Sequence, residues 1–305
     1  MTNKTMMCDM ETGICGEVED FGMELIDLKK PTKKIDLYYV TDPICSHCWA
    51  LEPVFRRFME TYGHHVNLHK VMGGLLEKWH DGPIDPANGI YNPADVATHW
   101  REVGAHSRMP IDGSLMVDNP VQSSYPASRV FLQIQEMHGS ELAVAFLRNV
   151  REALFVGNSN ISDAVVLQKV VSDLGINGEE MMYLAETDEA QNRLEQDFAL
   201  ARRLGARGFP SLVFVNEEEQ GIKLSGVRTF EIYKEALERV LGEKPEPQNP
   251  KPLENLLVKD QFLFAREIEE VYSLTKERAE STINELDSAQ FEKKEFLGEV
   301  YVTRK

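Results

Sequence analysis

The absences in this sequence narrow its class before any motif is read. No apolar run approaches the ~20 residues that cross a bilayer, and the N-terminus has no apolar core of the kind a secretory signal carries. Cysteine is scarce, with four in 305 residues. Without an export signal, that scarcity points to a reducing cytoplasm, where a close cysteine pair is more often catalytic, sensory or vestigial than a structural staple. Basic residues are in deficit, 33 Lys and Arg against 50 Asp and Glu, for a formal net charge of -17. Phosphate backbones and anionic membranes would be repelled, so neither nucleic acid nor a membrane is an expected partner. A basic protein surface is an admissible one. There is no Walker A pattern, and no second Cys-x-x-Cys that would complete a zinc site.

The rest of the composition, 42% hydrophobic and 27% charged, is that of a globular chain long enough for one large domain or a domain with an appendage. Its most chemically loaded stretch is Cys45-Ser46-His47-Cys48. Ile35 to Val40 before it reads as a buried strand, and Phe55 to Tyr62 after it as an amphipathic helix. Two thiols three positions apart at a helix start face the same way and can close a small disulfide ring. The unpaired N–H groups and partial positive charge of the helix N-terminus favour a thiolate there. Cys45 is therefore expected to be an exposed, low-pKa attacking sulfur and Cys48 the resolving one, with a protonated His47 stabilising the Cys45 thiolate. The competing reading, half of a zinc site, lacks its second ligand pair.

Residues 1 to about 32 are polar and acidic without sustained periodicity, so a mobile or loosely docked arm is expected. Its Cys8 and Cys15 are half a metal site at best, and no histidine lies nearby. His64, His65 and His69 also lack a carboxylate spaced to complete a site, and are expected to be solvated or capping. Val66 to Met72 reads as a strand and His80 to about Asn92 as a loop. A helical region then runs to Leu204, with helices from Asn92-Pro93, Pro126–His138, Leu142–Phe155, Ala164–Leu174, and one of about two dozen residues from Gly178. Gly208-Phe209-Pro210 leads into a strand ending at Val215, with a candidate cis bond before Pro210. A hairpin to Gly221–Ser225 and a helix Thr229–Leu241 follow. Lys244 to Pro252 is proline-rich and reads as a stiff linker. Beyond it a helix Leu253 to about Tyr272, a helix Thr275–Leu286 and a hairpin are expected. That order suits a small winged-helix-like unit, whose acidic excess favours protein contact over DNA.

Strand, CxxC helix, strand, helical insertion, proline-led strand, strand, helix resembles the thioredoxin arrangement interrupted in its middle. The insertion, with Leu147-Arg148-Asn149-Val150-Arg151-Glu152-Ala153-Leu154-Phe155 inside it, resembles the DsbA-like branch. The expected fold class is α/β, thioredoxin-like, with a helical insertion at about 80–204 and a small C-terminal α+β winged-helix-like unit. The domains are then 1–32, 33–243, a 244–252 linker and 253–305. Asp42-Pro43-Ile44-Cys45-Ser46-His47-Cys48-Trp49-Ala50-Leu51-Glu52-Pro53, Val71-Met72-Gly73-Gly74-Leu75-Leu76, Ser123-Ser124-Tyr125-Pro126 and Gly208-Phe209-Pro210-Ser211 resemble the cytosolic adaptor family of Firmicutes called YjbH or SpxH. That resemblance implies a binding protein without a cofactor: it holds the regulator Spx, presents it to the ClpXP protease, and loses this activity under stress. Some members carry a His- and Cys-rich N-terminal segment proposed to bind zinc; here that segment offers only Cys8 and Cys15. The alternative is a cytosolic thiol–disulfide oxidoreductase using Cys45, His47, Cys48 and Pro210. A glutathione-dependent isomerase is disfavoured, because such relatives usually lack the paired cysteines.

Overall fold

The computed structural model describes residues 32–80, 85–260 and 262–305, with the backbone at 8–9 and 14–15. Two units form, Met1–Thr32 and Lys33–Lys305. In the first, strands β1 (Cys8–Asp9) and β2 (Ile14–Cys15) pair antiparallel, with Cys8 opposite Cys15. The expectation of a mobile or loosely docked arm lies otherwise outside the described residues.

The second unit is built on a four-stranded sheet in the order β4-β3-β5-β6. β3 (Ile35–Thr41) is central and β4 (Val66–Met72) runs parallel to it, as two strands joined by a helical crossover do. β5 (Ser211–Val215) and β6 (Gly221–Ser225) add antiparallel on the other side. The crossover is two helices, α1 (Ser46–Ala50) and α2 (Glu52–Tyr62), where the sequence suggests one. Pro53 explains the break, since it has no N–H to continue the helical ladder and is tolerated in a first turn. One face of the sheet packs Leu37, Tyr39, Leu212 and Phe214 against Phe58, Tyr233 and Leu237.

Between β4 and β5 lie α3 (Pro93–Ser107), α4 (Leu115–Asp118), α5 (Tyr125–His138), α6 (Ser140–Phe155), α7 (Ala164–Ser172), α8 (Gly178–Ala185) and α9 (Asp188–Arg203). Asn92 caps α3 in a reciprocal pair with Asp95, so Asn92-Pro93 is the start it was expected to be. The long helix expected from Gly178 is instead α8 and α9. Thr187 accepts from the Ala190 N–H and starts a new helix there, with Asp188 and Glu189 in its first turn. These helices share a core that includes Phe131, Phe146, Leu147 and Phe155. After β6 comes α10 (Phe230–Leu241).

Residues 244–252 form neither helix nor strand, and they are tethered. The Gln248 N–H donates to the Thr61 carbonyl, and the Lys251 carbonyl accepts from the Tyr272 hydroxyl. Beyond them the single expected helix is interrupted: α11 (Leu253–Lys259), β7 (Phe262–Phe264), then α12 (Ala265–Tyr272). β7 pairs with β9 (Glu299–Arg304), which also pairs with β8 (Phe291–Phe296), so ladder hydrogen bonds replace helical ones. α13 (Lys276–Glu285), capped by Thr275, completes this part. It has its own core of Leu256, Leu263, Ile268 and Val302, yet Phe264 packs into the core of the helical insertion. Phe264→Ala removes a fully buried ring at that joint and should cost about 3–5 kcal/mol in guanidinium unfolding followed by tryptophan fluorescence. A loss under about 1 kcal/mol would contradict this packing.

Candidate functional site

The end of β3 sets the site. Thr41 and Asp42 are fully buried. The Asp42 carboxylate accepts from the Ile44 N–H at 3.0 Å, the Leu75 N–H at 2.7 Å and the Ser124 hydroxyl at 2.9 Å. It thereby ties together the CxxC turn, the loop after β4 and the start of α5. Burial outweighs those donors and raises its pKa. That loop approaches closely: a Cβ on Gly73 would lie 1.9 Å from the Phe209 ring, so only glycine fits without displacing Phe209.

Cys45 is the N-cap of α1, and its Sγ accepts from the Cys48 N–H at 3.2 Å. Both cysteines are free thiols. Cys45 is not the exposed thiol expected, being 4% accessible, and Cys48 is sealed completely. Burial pushes the Cys45 thiol well up, and the neighbouring Cys48 sulfur raises it further. Burial acts against the Cys48 thiolate too. It is outweighed by the hydrogen bond from Cys45, the Arg151 charge and the Thr41 hydroxyl, so that thiol is lowered. Of the two sulfurs it is Cys48 whose pKa falls, which corrects the assignment of the low pKa to Cys45. His47 is exposed, with its ring 5.4 Å from that of His99. Partial desolvation and the second imidazole lower its pKa, which disfavours the cation expected beside Cys45.

Pro210 follows a cis peptide bond and is buried. Ser211 pairs with Val40, so the β3–β5 register carries Pro210 to the end of β3, beside the turn that leads to Cys45. Two hollows flank the pair. One, of about 510 Å³, has Cys45, Trp79, Trp100 and Phe209 among its walls. The other is a groove of about 1170 Å³, walled by His47, Arg57 and Val54 of the body, Val227 after β6, and Arg266 and Glu270 of α12. His47, Asn88 and His99 border both. Among the described residues, no group of three or more His, Cys, Asp or Glu is placed to hold a metal ion. Cys8 and Cys15 are described only by their backbone.

Sequence reading missed the residues that hold the site. Arg151 is fully buried and donates to the Thr41 hydroxyl at 2.5 Å, the Asp42 carbonyl at 3.2 Å and Glu52 at 2.7 Å. Arg148, one turn earlier, stacks 4.6 Å over Trp49 and forks onto Glu267 of α12 at 2.9 and 3.0 Å. Glu267 also accepts from Arg56, which forks onto Asp260. An unbroken set of ion pairs thus runs from the cysteine turn to the C-terminal helices. The available signal was positional: Arg148 and Arg151 share a helix stripe with Phe155, which faces the core.

The fold and site define the class: a thioredoxin-like protein whose paired cysteines lie at a helix start near a cis-proline. The Thioredoxin family profile matches residues 38–235. A probable DsbA oxidoreductase from Streptomyces coelicolor shares the fold, with a TM-score of 0.55 and 18% identity over 72% of this chain and 93% of its own. Among curated proteins, the ClpXP adapter protein SpxH of Halalkalibacterium halodurans is 30% identical over 92% of this chain and 90% of its own length. The Bacillus subtilis protein of that name is 30% identical over 85% of each. The chain belongs to the SpxH family.

One consequence of the ion-pair set is measurable by pH. Glu152 bonds Arg148 through one oxygen, and its other oxygen is buried with no hydrogen-bond partner among the described residues. Burial raises its pKa from 4.5 to about 7 against the pull of Arg148. The folded chain thus holds that proton more tightly than the unfolded chain. The associated stability is present below about 4.5 and lost as pH rises through about 7. Glu152→Gln should become progressively more stable than the parent between pH 5 and 8, by up to about 3 kcal/mol in urea unfolding. A difference independent of pH would contradict the assignment.

Proposed function

We propose that this protein is a cytoplasmic adaptor that binds the transcriptional regulator Spx and promotes its degradation by ClpXP, with loss of adaptor activity under stress. The observation that carries this is the extent of the kinship. The alignment with the Halalkalibacterium halodurans ClpXP adapter spans 285 residues, more than the thioredoxin match at 38–235 provides, so it takes in C-terminal sequence outside that core. An adaptor acts by raising the effective concentration of its cargo at the protease, which needs a binding surface and no turnover. The groove of about 1170 Å³ is the surface we assign to the cargo, since body and α12 both wall it. Val227→Glu, on an exposed groove wall, should weaken Spx binding about tenfold or more by calorimetry. Unchanged affinity would remove the groove from the account.

The paired free thiols favour a second reading, a thiol–disulfide oxidoreductase. In that reading Cys45 attacks a substrate disulfide and forms a mixed disulfide, Cys48 then attacks the Cys45 sulfur so that the substrate leaves as a dithiol and a Cys45–Cys48 disulfide remains, and Pro210 shapes the peptide edge beside them. The burial of both sulfurs and the raised Cys45 pKa make attack slow, which favours binding over chemistry. A Cys45→Ala, Cys48→Ala double variant should still accelerate ClpXP degradation of Spx in a reconstituted assay. Loss of stimulation in a folded variant would put the oxidoreductase first.

A further inference from the structure

Lys70 sits within β4, opposite Tyr39 in the parallel pair with β3. It is 8% exposed, and its ammonium nitrogen stands 5.0 Å from the centroid of the Tyr39 ring. Among the described residues no hydrogen bond or ion pair reaches Nζ. The cations around it are engaged: Arg56 by Asp260, Arg148 by Glu267 and Arg151 by Glu52. Lys70 lines a half-open cavity of about 360 Å³ between α2, β4, α6 and α11, whose walls are apolar at Phe55, Leu68 and Leu256 and also carry the carboxylates of Glu52, Glu60, Asp173 and Asp260. That volume lies in the range small ligands occupy.

A lysine is ordinarily kept in water by its charge, so one held in such a place departs from ordinary lysine chemistry. Burial is the largest influence on it and disfavours the ammonium form. Glu52 and Cys48 act against that influence, Arg151 and Arg56 reinforce it, and the pKa settles at about 8. A desolvated amine that opens onto a partly enclosed space is an arrangement that makes lysine a nucleophile toward carbonyl groups.

We propose that Lys70 is a carbonyl-capture site, taking small uncharged aldehydes into the cavity between the thioredoxin-like body and α11 as a reversible imine. The Nζ lone pair attacks the carbonyl carbon and forms the C–N bond while the C=O π pair moves to oxygen. Proton transfer from nitrogen to that oxygen gives a carbinolamine. Loss of water then leaves the imine, and nothing is oxidised or reduced. The apolar walls receive the hydrocarbon part of the aldehyde.

At pH 7.5 a lysine of pKa about 8 is roughly one-quarter neutral, against about one part in a thousand for an ordinary lysine. The test treats the full chain with propanal and cyanoborohydride at pH 7.5 and follows each lysine by peptide mass spectrometry. Lys70 should be alkylated at least about tenfold faster than the exposed Lys34 and Lys78, with a rate half-maximal near pH 8. Leu256→Trp keeps the amine, fills the cavity, and should slow Lys70 alone. Lys70→Met should abolish the fast site and leave the other lysines unchanged. Labelling of Lys70 no faster than that of the exposed lysines would overturn the proposal. So would labelling that rises with urea below the unfolding transition, because the amine would then react only when the chain opens.

Discussion

Two guanidinium groups on one stripe of α6 bind this molecule together. Arg151 reaches toward the end of β3 and holds the turn that presents Cys45, while Arg148 reaches the other way and holds Glu267 at the start of α12. Glu52, at the start of α2, lies between them. Charges this deep are stable only because each has a partner, and removing one partner from such a pair costs about 3–5 kcal/mol. The pairing is therefore a constraint as much as a source of stability. The cysteine turn, the first turn of α2, the helical insertion and the C-terminal helices must all keep their places together.

In the proposed function that constraint acts through the groove. A binding surface with one wall on the thioredoxin-like body and another on α12 has a defined shape only if the two are fixed relative to each other. Arg57 and Glu270 pair across its two walls at 3.5 Å, and Arg148, Arg56, Glu267 and Asp260 join α6 and α2 to the C-terminal helices. The cysteine pair has been drawn into the same electrostatics, since Arg151 supports a thiolate at Cys48 and burial denies one to Cys45. An oxidoreductase benefits from an accessible attacking sulfur, whereas a scaffold benefits from a rigid, shielded turn. Here the turn is shielded, with Cys45 4% accessible and Cys48 sealed.

The sequence was most informative where local chemistry decides local structure. The strand before Cys45, the Asn92 cap, the Thr275 cap, the cis bond before Pro210 and the hairpin at Leu297-Gly298 all follow from residues within a few positions. It misled where a distant segment decides. Phe262-Leu263-Phe264 looks helical in its own context and becomes a strand because β9, near the end of the chain, offers it a ladder. Arg148, Arg151 and Glu152 pass in sequence for ordinary charged residues of a helix. Their role depends on carboxylates contributed by α2 and α12, which no spacing rule connects. The Cys45 assignment failed for a related reason: the helix N-terminus was legible, while the burial that overrides it comes from packing around the turn.

The most direct test of this account is a double-mutant cycle between Arg148→Met and Glu267→Gln, measured by guanidinium unfolding of the full chain. Each single change strands a buried group, whereas the double change removes both partners and largely preserves volume. The account predicts a double variant less destabilised than the sum of the singles by about 2 kcal/mol or more. Effects that add to within about 0.5 kcal/mol would contradict it, because the Arg148–Glu267 pair would then not couple α6 to α12.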